Sequence, residues 1–222
     1  MSEYRPSLNP GQYSDVADVA VRNRVLRNTY WLLAISLIPT VLGAAFGMYS
    51  GINKVMATSP FISMIIFLAG AFGLMYAIEK NKETSLGVGL LLLFTFFMGM
   101  MLSRLLGHVL GMSNGTQLVM FAFGGTAAVF GTMATLATSI KRDLSGLGKF
   151  MFVGVVILLL ASVANIFLQL PALMLIISVV AIVIFSAFML IDLQRVVNGG
   201  ETNYVSATLA IYLDVYLSLI HI

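Results

Sequence analysis

The sequence predicts an all-α integral membrane protein with seven transmembrane helices. Only 9% of its residues are charged and 59% are hydrophobic, whereas a soluble domain is about 25% charged. The chain also divides into seven apolar stretches, each close to the roughly 20 residues that carry a helix across a bilayer. They are much longer than the ~10 alternating residues of a barrel strand. A third observation points to function: two aspartates, Asp192 and Asp214, lie in otherwise apolar sequence on either side of one short polar turn.

The spans follow in chain order. Thr29 to Asn53 carries no Asp, Glu, Lys or Arg and holds the first, at about 29–49. The second opens near Pro60 and covers 60–78, and the third covers 85–103. The polar turn Gly111-Met112-Ser113-Asn114-Gly115 precedes the fourth, at 117–140. Phe150 to Ile191 is uncharged and too long for one crossing. Gln169-Leu170-Pro171 divides it into a fifth span at 150–169 and a sixth at 172–193, because proline disfavours a continuing helix. The seventh covers 204–222.

Residues 1–28 are polar, so no apolar stretch lies where a cleavable signal peptide needs one, and the first helix is expected to remain in the mature protein. This tail reads as flexible around Pro6, Pro10 and Gly11, then as a basic juxtamembrane segment with Arg22, Arg24 and Arg27. Of the 12 Lys and Arg, 10 fall in the tail and in the connections after spans two, four and six. They are Arg5, Arg22, Arg24, Arg27, Lys80, Lys82, Lys141, Arg142, Lys149 and Arg195. The expectation is a cytoplasmic N-terminus and a C-terminus on the opposite face.

An acid inside a membrane span costs roughly 2.5–3.5 kcal/mol on insertion scales, so it calls for a partner or a task. The turn Asn198-Gly199-Gly200-Glu201-Thr202-Asn203 joins spans six and seven as a hairpin. Asp192 precedes the turn by six residues and Asp214 follows it by eleven. Their depths differ by roughly 8 Å at 1.5 Å per residue. Carboxyls that meet in low dielectric do not both ionise cheaply, so the pair is expected to share a proton and act as a pH switch. Protonated it closes; ionised it repels and attracts cations. The competing reading of Asp192 is an ion pair with Arg195 at i, i+3. The span of Asp214 offers no such basic partner.

Other chemistries are excluded or weaker. With no cysteine there is no disulfide and no thiolate metal site. A calcium buffer needs about 6–8 oxygen ligands, so two carboxylates make at best a transient cation site and no stable metal is expected. An intramembrane aspartyl protease places its second Asp after Gly-x-Gly, whereas Asp214 follows Ile211-Tyr212-Leu213. A serine protease of the rhomboid type lacks its Gly-x-Ser-x-Gly, and His108 sits near the outer interface. Gly43-Ala44-Ala45-Phe46-Gly47 is a GxxxG that lets two helices approach closely. Met98, Met100 and Met101 read as gap-fillers rather than copper ligands. Asn165 and Gln169 share one face of span five, where they bond a neighbour or line a polar cavity. No phosphate loop, cofactor motif or nucleic-acid patch occurs, and no enzymatic activity is expected.

Several strings together resemble a known family. They are Leu26-Arg27-Asn28-Thr29-Tyr30, Gly124-Gly125-Thr126-Ala127-Ala128-Val129-Phe130, and the run from Ala164 to Ala172 that contains Asn165, Gln169 and Pro171. Gly199-Gly200-Glu201-Thr202-Asn203-Tyr204 and Tyr212-Leu213-Asp214 complete the set. The sequence over about 22–216 resembles the Bax inhibitor-1 family, in its bacterial inner-membrane branch.

That resemblance implies six helices around a central, apolar seventh, and a pH-sensitive Ca²⁺ leak governed by aspartates that map onto Asp192 and Asp214. It also implies a role as a modulator of the membrane-anchored AAA protease FtsH, with the tail at Met1, Ser2, Glu3, Tyr4 and Arg5 as the segment the protease grips. Leak-type members carry a basic latch on the second helix, but residues 60–78 here hold no Lys or Arg. The family continues beyond this C-terminus and Leu217 to Ile222 diverges from it, so a truncated seventh helix is expected and His221 carries no functional weight.

Overall fold

The computed structural model describes residues 10–144 and 146–222. Among them the chain is helical throughout, in the order α1 (Pro10–Tyr49), α2 (Ile52–Thr58), α3 (Pro60–Asn81), α4 (Ser85–Leu110), α5 (Gly115–Ser139), α6 (Leu147–Leu168), α7 (Pro171–Val197) and α8 (Tyr204–His221). All but α2 contain a stretch long and apolar enough to cross a membrane, which gives seven spans among the described residues.

The stops and starts follow from the residues at the boundaries. Pro60 and Pro171 open α3 and α7 at the first helical positions, where a missing N–H costs nothing. Gln169 closes α6 in the left-handed conformation (φ 51°). Gly199 does the same after α7 (φ 78°), and the Gly200 N–H returns to the Arg195 carbonyl at 2.8 Å.

Several boundaries differ from the sequence expectation: α3 runs to Asn81 rather than 78, and α7 to Val197 rather than 193. The basic segment before the first span is not separate from it, since α1 is continuous from Pro10. The third span runs to Leu110 rather than 103, because Leu105, Leu106, Val109 and Leu110 keep the helix apolar past Arg104. The short α2 has no counterpart in the sequence expectation. Met1, Ser2, Glu3, Tyr4 and Arg5 lie outside the described residues.

Helix α8 sits at the centre. It packs against α1, α3, α4, α5 and α7, while α6 rests on α7. This central helix is apolar enough to cross a membrane, as the resemblance implies, and alongside Val205, Leu209 and Ile211 it buries Thr208, Tyr212, Asp214 and Tyr216. Polar groups are tolerated at the centre of a membrane bundle because each can face protein rather than lipid. The Tyr212 hydroxyl lies 2.8 Å from Thr40 Oγ1 on α1, and the Tyr216 hydroxyl donates to the Met98 carbonyl on α4 at 2.9 Å.

The most extensive helix pairing among the described residues is α1 with α4, and glycine makes its close approach possible. A Cβ on Gly43 would collide with the Phe96 carbonyl, and one on Gly99 with the Thr40 carbonyl. The GxxxG on α1 therefore serves an approach within the chain, with Gly47 set against Ser103.

Candidate functional site

The turn between α7 and α8 brings the two aspartates together. Their carboxyls interact directly, within hydrogen-bonding reach of each other. The direction of the side chains explains how a depth difference of roughly 8 Å closes. Every helical side chain leans toward its own N-terminus. In α7 that direction leads away from the turn, and in α8 it leads back toward it, so Asp192 and Asp214 converge. A hydrogen bond between two carboxyls requires one proton between them.

Asp192 has both partners that its sequence position offers. Besides Asp214, it faces the guanidinium of Arg195, with Nη1 3.6 Å from its Oδ1. The cation beside the pair thus comes from α7 itself, one turn along. Arg195 is 57% exposed and Asp192 17%, so the ion pair marks the water-facing side of the site. Asp214 is the inner member, buried at 7% exposure, with Oδ2 making no hydrogen bond.

Three connections converge around this hairpin. Gln194, buried at 2%, clamps the segment after α5: its Nε2 donates to the carbonyls of Ile140 (2.9 Å) and Arg142 (2.8 Å), and its Oε1 accepts from the Leu144 N–H (3.0 Å). Asn203 caps α8, accepting from the N–H groups of Val205 (2.8 Å) and Ser206 (3.2 Å). Its Nδ2 donates across to the Lys82 carbonyl (3.1 Å) and Glu83 Oε1 (3.0 Å) in the turn after α3. Ser206 donates to Glu79 Oε2 at 3.0 Å, and Glu79 pairs with Lys82. The hydrogen bond that Lys82 donates to Glu79 holds its ammonium above the ordinary lysine pKa. The side chain of Arg22 on α1 lies beside Gly199.

The other predicted polar residues take no part in this site. Asn165 Oδ1 accepts from the Leu170 N–H at 3.0 Å and so finishes the end of α6, while Gln169 is exposed. Neither lines the large cavity of the bundle, and both are remote in sequence and element from the acid pair. Sequence reasoning misses Gln194 and Asn203. Each carries a signal: a neutral amide in apolar sequence two residues after Asp192, and an Asn immediately before a helical run. The described residues contain no group of three or more acids and histidines able to hold a metal ion.

Comparison with known proteins agrees with this architecture. The family described as "Inhibitor of apoptosis-promoting Bax1" matches residues 22–222. An uncharacterised protein of Neisseria meningitidis is 40% identical over 206 residues, 92% of this chain and 90% of that protein. The Escherichia coli K12 protein named "Modulator of FtsH protease YccA" is 37% identical over 194 residues, 87% of this chain and 85% of its own length. An uncharacterised membrane protein of Vibrio cholerae is 35% identical over 193 residues, 87% of this chain and 84% of that protein. With a family match across nearly the whole membrane bundle and relatives at this level of identity, the chain belongs to the Bax inhibitor-1 family of multi-pass membrane proteins.

Proposed function

We propose that this protein is a pH-sensitive cation leak, with Ca²⁺ as the conducted ion, gated by Asp192 and Asp214. The observation that carries this reading is the meeting of the two carboxyls from α7 and α8, with one oxygen of Asp214 buried and unpartnered. A shared proton joins the arms of the hairpin. Loss of that proton places two negative charges side by side in low dielectric, where they repel strongly and attract a cation. The conformation described here is then the closed one. Two carboxylates offer too few ligands to trap Ca²⁺, which suits passage rather than storage. Arg195 provides a counter-charge at the entrance.

The orientation proposed is N-terminus inside. The connections carrying Lys82, Arg142 and Arg195 gather on one face of the bundle through Asn203 and Gln194. They belong to the set that holds 10 of the 12 basic residues. Retention on the cytoplasmic side of a bacterial inner membrane follows from that bias.

The test is Ca²⁺ flux into proteoliposomes from about pH 5 to about pH 8, for the native chain beside Asp192→Asn/Asp214→Asn. The expected result is flux that rises with pH in the native chain and loses its pH dependence in the variant. Unchanged flux and pH dependence in the double variant would overturn the gate.

A second reading has its own support. A relative 37% identical over most of both chains carries the name of an FtsH modulator. In this reading the protein is a non-enzymatic partner of that membrane protease, and the tail from Met1 through Arg5 is the part the protease engages. Deleting residues 1–20 should stop turnover of this chain by FtsH; unaffected turnover would sink the tail as the handle. The two roles are compatible, because they rest on different residues.

A further inference from the structure

Helices α1 and α5 stand side by side around α8 with no backbone contact between them among the described residues. Between them lies a cavity of about 670 Å³, floored by α8 and α4. Its walls include Ala34, Leu37 and Val41 from α1, and Phe123 and Ala127 from α5. At the floor the Tyr212 hydroxyl is already satisfied by Thr40, so the cavity presents almost nothing for water to bond. On α1 its lining runs from Tyr30 to Met48, roughly 27 Å along the axis and close to the ~30 Å hydrocarbon thickness.

The geometry points to a phospholipid as the occupant, with an acyl chain lying in this groove and an anionic headgroup at Arg27. Three observations favour it. First, the groove opens sideways between two membrane spans, where the surrounding solvent is lipid. Second, its size suits an acyl chain. The observed volume falls within the ~300–1,000 Å³ of small-ligand sites. Third, charge is placed at one end. Arg27 lies three residues before Tyr30, continuing the groove-facing stripe of α1 by one turn to the membrane boundary. It is exposed and makes no ion pair among the described residues. Guanidinium suits a phosphate by bidentate bonding. The edge contact of Tyr30 with Phe130, centroids 6.3 Å apart, marks this end of the groove. Because Tyr212 and Asp214 ride on the same helix, the lipid chain would touch the element that carries the acid pair.

The test uses vesicles of phosphatidylethanolamine and phosphatidylglycerol. The native chain, Arg27→Gln and a groove-filling Ala34→Trp/Ala127→Trp variant are extracted in mild detergent and weighed by native mass spectrometry. The native chain should retain one phosphatidylglycerol. The filled variant should lose it by about tenfold, and Arg27→Gln should keep a lipid without preferring phosphatidylglycerol. Equal lipid occupancy in the native and filled chains would overturn the site, and so would loss of a bound protein partner rather than lipid on filling. A second measurement avoids bulky substitutions. The chain has no cysteine, so Ala127→Cys and, on the outer face of α6, Val156→Cys each take one bimane label. Phosphatidylglycerol brominated in its acyl chain should quench the label at 127 half-maximally at a clearly lower mole fraction than the label at 156. Identical quenching curves would overturn the groove as a binding site.

Discussion

The carboxyls of Asp214 and Asp192 meet, and Asp214 Oδ2 is buried with no hydrogen-bond donor supplied by any other group among the described residues. An orphaned buried acceptor costs about 1–3 kcal/mol, more if it is charged. The structure holds this cost at the point where the two arms of the hairpin are joined. Asp214→Asn keeps the shape and offers an amide to Asp192 without needing a shared proton. The variant should fold with a melting temperature in detergent at least equal to the native one, and its Ca²⁺ flux should no longer vary with pH. A steep residual pH dependence would place the sensor elsewhere.

Arg195 should matter less to stability than its position beside the pair suggests. Its contact with Asp192 is 3.6 Å long and the guanidinium is more than half exposed. Exposed pairs contribute about 0–1 kcal/mol after solvent screening. Arg195→Gln should therefore cost under about 1 kcal/mol in chemical denaturation, and added salt should reduce the difference. A loss of several kcal/mol would mean that Arg195 is locked into the pair.

Gln194 is the opposite case. It is almost wholly buried and makes three hydrogen bonds to the backbone of the segment after α5. Gln194→Ala leaves two carbonyls and one N–H without that partner, at a cost of about 1–3 kcal/mol. Hydrogen exchange should rise at Leu144 while the centre of α8 remains protected. Unchanged exchange at Leu144 would show that the clamp is dispensable.

The spans are legible because apolar length alone specifies a membrane helix, and two prolines and one polar turn mark most of the breaks. The acid pair is legible because a carboxylate in an apolar run has few innocent explanations. The sequence does not show that Asp192 touches both Arg195 and Asp214, since on sequence spacing each contact stands as an alternative to the other. Nor does it show which face of α8 meets which neighbour. Tyr212 and Tyr216 look like ordinary aromatic filling until Thr40 and the Met98 carbonyl are placed opposite them. Asn165 and Gln169 show the reverse. Helical spacing puts them on one face, but the chain ends α6 there, so Asn165 bonds its own turn.

Asn203 links α8 to the turn after α3, so its two functions can be separated by substitution. Asn203→Asp keeps the acceptor that caps α8 but removes the donor to Lys82 and Glu83, and places a carboxylate beside Glu83. Asn203→Ala removes both. Loss of the cap costs about 0.5–2 kcal/mol. If the cross-link matters as much as the cap, both variants should melt below the native chain. If Asn203→Asp melts with the native chain and only Asn203→Ala falls, the cap is the whole contribution and the cross-link is incidental.

The α1–α4 contact gives the sharpest packing test, because one helix carries both a required and an unneeded glycine. A Cβ at Gly99 would fall on the Thr40 carbonyl, which is backbone and cannot rotate away. At Gly89, ten residues earlier on the same helix, a Cβ meets nothing within 4 Å. Gly99→Ala must push α1 and α4 apart and should cost about 1–3 kcal/mol through lost packing. The displacement should also disturb the Thr40–Tyr212 hydroxyl contact at the floor of the groove. Gly89→Ala adds helix propensity without a clash and should stabilise by roughly 0.5–1 kcal/mol. Opposite signs in the two melting temperatures would establish that glycine at 99 is there for the approach of two backbones. A neutral Gly99→Ala would mean that α1 and α4 can part without loss.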